Sequence, residues 1–171
     1  MAKTLVAYFS RAGMNYAAGN IKNLERGNGQ VLAEYAAAAC GGELFEIRPA
    51  SAYPADYREC VSVATEEKRA NARPELADDC DPAAYEHVVL VYPNWCGTMP
   101  MPVYAWLESH NFAGKSIWPL CTHEGSGMSG TEGDIAGACP GAVVERGLAV
   151  LGHKASNAKP QVEAWLEPLQ G

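Results

Sequence analysis

The chain has no apolar run approaching the roughly 18 residues that a membrane span needs. Its amino terminus also lacks a charged leader, a long apolar stretch and a small-residue cleavage site, so neither insertion nor export is expected and the cytoplasm is the predicted location. The six cysteines, Cys40, Cys60, Cys80, Cys96, Cys121 and Cys139, contain no closely spaced pair of the kind that builds a zinc knuckle or a two-residue-spaced redox motif. In a reducing compartment they read as free thiols. The four histidines, His87, His110, His123 and His153, are scattered without Ser-His-acid or paired-ligand spacing, which argues against a hydrolase, a metal site or protein-based covalent catalysis. Basic charge is scarce too: the formal net charge of −7 disfavours nucleic acid as a partner and suits docking on basic surfaces. No internal repeat, low-complexity tract or linker divides the sequence, so its 171 residues, 48% hydrophobic and 19% charged, form one domain over 1–171.

What the chain does have is a strand-then-loop pattern that occurs three times. His87-Val88-Val89-Leu90-Val91-Tyr92 reads as a strand buried on both faces. It stops at Pro93-Asn94-Trp95-Cys96-Gly97-Thr98, where turn-forming residues surround one large flat side chain. Thr4-Leu5-Val6-Ala7-Tyr8-Phe9 runs into Ser10-Arg11-Ala12-Gly13-Met14-Asn15, and Ser116 to Cys121 runs into Thr122-His123-Glu124-Gly125-Ser126-Gly127. In an open parallel sheet, ligands sit in the crevice outside the carboxyl ends of the strands. The first loop suits an anion: glycine permits positive φ, and successive N–H groups can then converge on phosphate oxygens beside the Ser10 hydroxyl. The second loop presents Trp95 to a flat ligand, and the third lets backbone approach a ligand edge.

Between these strands the apolar residues recur at helical period, the alternation that yields a parallel sheet with right-handed crossovers. Val31, Leu32, Tyr35, Ala36 and Ala39 mark a first helix closed by Gly41-Gly42, and Glu43 to Ile47 a second strand. A helix from Tyr57 towards Ala70, a short one after Pro102 around Val103, Trp106 and Leu107, one between Ser129 and Cys139, and a last opened by Pro160 follow in turn. Ala142 to Val150 supplies the fifth strand, so the plan is five strands alternating with five helices. Trp106 and Trp165, at helical spacing with leucine neighbours, and Trp118, inside a strand, are expected in the core.

Tyr8-Phe9-Ser10-Arg11-Ala12-Gly13, Tyr92-Pro93-Asn94-Trp95-Cys96-Gly97-Thr98-Met99-Pro100-Met101-Pro102 and Cys121-Thr122-His123-Glu124-Gly125-Ser126-Gly127 together resemble the three flavin-binding loops of the flavodoxin family. The match is in the right order and spans nearly the whole chain. This resemblance implies a flavodoxin-like three-layer α/β/α sandwich with a five-stranded parallel sheet, order 2-1-3-4-5, holding FMN at the switch point. It places Ser10, Arg11, Ala12, Gly13, Met14 and Asn15 around the phosphate. It puts Pro93, Asn94, Trp95, Cys96, Gly97 and Thr98 along the flavin ring, with Trp95 stacked against it. Thr122, His123, Glu124, Gly125, Ser126 and Gly127 then close the other edge. FMN would carry the redox chemistry and the protein would supply orientation and electrostatics.

Two departures accompany the resemblance. The segment Tyr16 to Arg26 intervenes before Gly27-Asn28-Gly29 and the first helix. With Asn28 as the cap and the free N–H groups of the first turn facing the phosphate, the cradle would be assembled from two pieces. Ala12 and Tyr16 also stand where many flavodoxins have hydroxyl residues, which predicts fewer side-chain bonds to the phosphate and a looser hold on FMN. For single residues both readings stay open. Arg11 assists the phosphate or projects into solvent; Cys96 is a redox thiol or merely compact; His123 and Glu124 touch the ligand or are an exposed loop pair. The expected function is non-covalent FMN binding in electron transfer, by a monomer or homodimer serving a redox partner protein or a small-molecule acceptor. The alternatives are a flavin-dependent NAD(P)H:quinone-type oxidoreductase on the same fold, with the Tyr16 to Arg26 segment helping to build its pocket, and a non-redox binding module.

Overall fold

The structure, a computed structural model, describes residues 2–171. Its centre is a parallel sheet built from β1 (Thr4–Tyr8), β4 (Glu43–Glu46), β5 (His87–Pro93), β6 (Ser116–His123), β7 (Val143–Val144) and β8 (Leu148–Leu151), in the order β4-β1-β5-β6, with β7 and β8 both paired to β6. Counted by position, this is the expected order 2-1-3-4-5. β5 lies at the centre, and Val88 to Tyr92 are fully buried because both faces are covered.

Alternation along β1 and β5 divides the interior in two. Leu5, Ala7, Val88, Leu90 and Tyr92 face Trp106 and Leu107 of α3 (Met101–Glu108) and Ile135 of α4 (Thr131–Ala138). Val6, Val89 and Val91 face Leu32, Ala33 and Ala36 of α1 (Asn28–Cys40) and Val162 of α5 (Lys159–Trp165). A one-residue slip of β5 would exchange the two sets, so the register Val6↔Val89 is fixed by hydrophobic contact on both sides. α1 ends at Gly41, whose φ of 68° is the left-handed cap expected of the Gly41-Gly42 pair. α2 (Tyr57–Arg69) begins at Asp56, whose carboxylate accepts from the Glu59 N–H.

Four expectations are corrected. The fifth strand is two pieces, interrupted at Glu145-Arg146-Gly147, opposite Trp118-Pro119 of β6. Pro119 has no N–H to give a ladder, so continuous pairing is broken there. The segment after the first loop is a β-hairpin, β2 (Gly13–Ala17) and β3 (Asn20–Leu24), turned by Ala18 and Gly19, both with positive φ. The phosphate loop is therefore short, and Gly13, Met14 and Asn15 belong to a strand. Trp118 and Trp165 are only half-buried and pack edge to face on each other at the rim of the α1/α5 layer, with the Trp165 indole N–H bonded to the Arg146 carbonyl. Gly27, not Asn28, is the N-cap of α1, and no side chain among the described residues caps that helix.

Candidate functional site

The carboxyl ends of β1, β5 and β6 bring the three loops together. At the first, the chain turns after Phe9, and α1 starts directly above the loop. A Cβ on Gly27 would lie 2.1 Å from Ser10 Oγ and 2.8 Å from Arg11 backbone, and one on Gly29 would lie 2.4 Å from the Phe9 carbonyl oxygen. Only glycine allows the helix to sit this close. The Ser10 hydroxyl beneath it is buried without a hydrogen-bond partner among the described residues. A buried hydroxyl left unpaired costs about 1–3 kcal/mol, which makes one at a strand end a marker of an absent partner. The first-turn N–H groups of α1 have no capping side chain, and no acidic residue occupies that turn to counter its partial positive charge. A buried hydroxyl donor, an uncapped helix amino terminus and a cradle that a single methyl would fill suit a phosphate.

Arg11 does not face this cradle. Its guanidinium donates to the carbonyls of Met14, Pro54 (2.8 Å) and Ala55 (2.9 Å), tying the first loop to the hairpin and to the segment before α2. Asn15 supports the same corner, donating to the carbonyls of Arg11 and Gly13. Ser10 to Met14 border a cavity of about 490 Å³ towards the end of β4, with Ala12 and Met14 exposed.

The second loop folds as a tight turn in which Trp95 and Thr98 exchange backbone bonds of 2.8 and 3.1 Å, with Cys96 (φ 55°) and Gly97 (φ 80°) at its tip. Asn94 is its staple: the amide accepts from the Gly97 N–H and donates to the Gly127 carbonyl and Ser129 hydroxyl, joining the second loop to the third. Trp95 is half-buried, with its ring edge-to-face on Phe9 and Tyr53 at 5.0 and 5.1 Å. It is thus anchored to the core as well as bordering the loop cavity. The Thr98 hydroxyl is already engaged by Tyr104 and Asp134, and the residue is buried, so it is structural. Cys96 is exposed and turned towards α2, its thiol 3.7 Å from the Thr65 hydroxyl and its carbonyl accepting from Lys68.

On the third loop, His123 Nδ1 accepts from the Gly125 N–H, Gly127 has a φ of 64°, and Ser126 accepts through its carbonyl from Ser129. Glu124 reaches across the site. One oxygen accepts from the His153 N–H (3.0 Å); the other is 2.7 Å from His153 Nδ1 and 3.5 Å from the Ala18 N–H at the hairpin tip. Cys121 beneath the loop is buried, and burial pushes its thiol up to about 12.

Asn15, Asn28, Pro93, Asn94, Trp95, Thr122, His123, Glu124 and Ser126 all border one cavity of about 320 Å³ between the loops. Three further residues line it: Tyr57 and Gly152, which the sequence does not single out, and Tyr16, which it marks only as a departure near the phosphate and as the start of a pocket-building segment. Tyr16, on the hairpin, stacks on Tyr57 of α2 with ring centroids 6.4 Å apart and planes 30° apart, forming an aromatic wall. Only the alternation of Met14, Tyr16 and Ile21 around Ala18-Gly19 could have signalled it. Gly152 is needed small, because a Cβ there would meet the Asn28 amide nitrogen at 2.5 Å and Glu124 at 3.0 Å. Among the described residues no group of His, Cys, Asp and Glu is arranged to hold a metal.

Residues 3–169 match the flavodoxin family. The chain belongs to that family. Among solved structures it is similar to a flavoprotein from Bacteroides uniformis ATCC 8492, with 27% identity, 97% of this chain and 98% of that one covered, and a TM-score of 0.76. A flavoprotein from Bacteroides eggerthii DSM 20697 is 24% identical over 99% and 98% of the two chains, with a TM-score of 0.73. A Lactobacillus acidophilus NCFM flavoprotein, solved in complex with FMN, is 19% identical over 87% and 93%, with a TM-score of 0.64. No curated protein matches the chain. In this chain a hairpin, β2 and β3, separates the first loop from α1.

Proposed function

We propose that the protein binds FMN non-covalently and serves in electron transfer. The buried Ser10 hydroxyl, without a partner among the described residues, under the uncapped amino terminus of α1 carries this reading, because a phosphate oxygen is a partner that suits both features. Ser10 and the first turn of α1 would hold the phosphate. The backbone of Asn94 to Gly97, Trp95 and the Tyr16–Tyr57 wall would border the ring, and Thr122 to Gly127 the opposite edge. FMN supplies reversible redox chemistry when bound. The chain's part is to orient it, to keep water from the buried side through Trp95 and Phe9, and to fix the loops through Asn94 and Glu124. Six free cysteines suit the cytoplasm.

A second reading, an oxidoreductase acting on a small acceptor, is favoured by a side cavity of about 170 Å³ that shares Asn15, Tyr57, Asn94 and Trp95 with the loop cavity. The purified protein is loaded with FMN, freed of excess and reduced stepwise without oxygen while its visible spectrum is recorded. Retained flavin that passes through a distinct one-electron spectrum supports the carrier. Retained flavin that goes directly to the fully reduced form supports the oxidoreductase. A protein that keeps no flavin contradicts both.

A further inference from the structure

The side cavity lies between the loop cavity and α2. Its floor is Cys60 and Ala64, both buried, and its outer lip is Val61, 41% exposed. Trp95 and Tyr57 wall it off from the ring site while bordering both spaces. None of the charged carboxylates of the site reaches it, and both side-chain N–H groups of Asn15 and of Asn94 are spent on protein acceptors. Hydrogen-bond donors remain. Arg11 uses three of its five N–H donors on carbonyls and makes no ion pair among the described residues, leaving two donors at the rim. The Tyr57 hydroxyl likewise bonds no protein group among the described residues.

An apolar cavity of about 150 Å³ is known to accept a single benzene ring, and this one measures about 170 Å³. Its walls supply an indole and a phenol for aromatic contact. We infer that the side cavity is the seat of a second ligand, a single-ring aromatic compound bearing an oxygen acceptor, held beside the flavin site. The ring fills the space over Cys60 and Ala64, and its oxygen faces the spare donors of Arg11 and Tyr57. A two-ring compound does not suit the cavity, because a second ring exceeds the volume, and a charge at the Cys60–Ala64 end, away from Arg11 at the rim, would be buried without compensation. The inference rests on the FMN reading for its place next to a redox centre, but the cavity's occupancy can be measured with or without flavin.

Nitrobenzene is the probe, since it is uncharged, has one ring and two acceptor oxygens, and does not alkylate thiols. Toluene, of similar size without an acceptor, is the control. Protein NMR follows the Ala64 methyl on titration of the apoprotein and of the FMN-loaded protein. The expected result is a saturable shift with nitrobenzene and weaker binding of toluene. Val61→Trp places an indole across the exposed lip and weakens nitrobenzene binding by about tenfold or more, because the ring then meets an overpacked site. Its FMN affinity stays unchanged. Ala64→Val, which raises the floor, does the same by a second route should the tryptophan perturb α2. No saturable shift in wild type, equal binding by toluene, or undiminished binding in both variants overturns the inference. FMN failing to bind while nitrobenzene saturates the cavity contradicts the FMN reading and leaves the aromatic site standing.

Discussion

Replacing Ser10 with alanine separates a functional hydroxyl from a structural one. The Ser10 Oγ is buried and bonds no group among the described residues. Removing an orphaned buried hydroxyl relieves an unfavourable term of about 1–3 kcal/mol, so Ser10→Ala is expected to stabilise the apoprotein. For a chain of this length each 1 kcal/mol raises Tm by roughly 2–4 °C. In the FMN complex the same hydroxyl would donate to a charged phosphate, a bond of about 1.5–3 kcal/mol, and its loss raises Kd for FMN by roughly 10–150-fold. The two effects have opposite sign, higher apo stability and lower cofactor affinity, as expected where a site holds a group poised for its ligand. Thermal unfolding of the apoprotein and FMN fluorescence titration read them separately. A variant that binds FMN as tightly as wild type, or one whose apoprotein melts lower, refutes the argument.

Gly27→Ala puts a methyl where Ser10 Oγ and Arg11 backbone lie; it should destabilise by about 1–3 kcal/mol and abolish tight FMN binding, measured by denaturant melts and the same titration. Gly133→Ala in α4 meets nothing within 4 Å and is expected to stabilise by about 0.5–1 kcal/mol without changing FMN affinity, which guards against reading every glycine as special. Thiol titration of the native protein should modify exposed Cys96 first, while Cys121 and Cys139, both buried with thiols pushed up to about 12, react only on unfolding. The Arg73 guanidinium bonded to Glu108 holds that carboxyl below the usual carboxylate range. The contribution of the pair is therefore present above the unfolded carboxylate pKa and lost as pH falls through the lower folded value, and Arg73→Ala should reduce stability more at neutral than at strongly acid pH, where its bonds to the Asn71 and Ala72 carbonyls and its contact with the Tyr104 ring are still lost. Both side chains are partly exposed, so the effect is modest.

Much of this architecture could be read from strand ends. β5 announced itself because five consecutive apolar residues are buried on both faces, and Pro93-Asn94 marked where it stops. Gly41-Gly42 closed α1 for the same local reason, a left-handed cap. The hairpin was hidden because half of it is solvated: Met14, Tyr16 and Ile21 alternate, but they are exposed, and Ala18-Gly19 is a weak turn signal beside Asn-Gly. The split of the last strand depends on Pro119 in the neighbouring strand, a tertiary effect that no local pattern of residues 142–150 contains. At the site, Trp95 was found by its place on a turn, while its anchoring on Phe9 and Tyr53 is a contact across distant segments. Tyr57 was missed for a related reason: it reads only as the start of a helix, and the hairpin arriving from residues 13–24 makes it a cavity wall.

Comparing FMN with riboflavin in a fluorescence titration of the purified apoprotein is the most direct test of the central claim. The two ligands share the ring and ribityl chain and differ only in the phosphate. The account predicts saturable binding of FMN at one equivalent per chain and binding of riboflavin weaker by at least about tenfold, the Ser10 hydroxyl and the α1 amino terminus having lost their partner. Equal affinity for the two, or binding of neither, contradicts it.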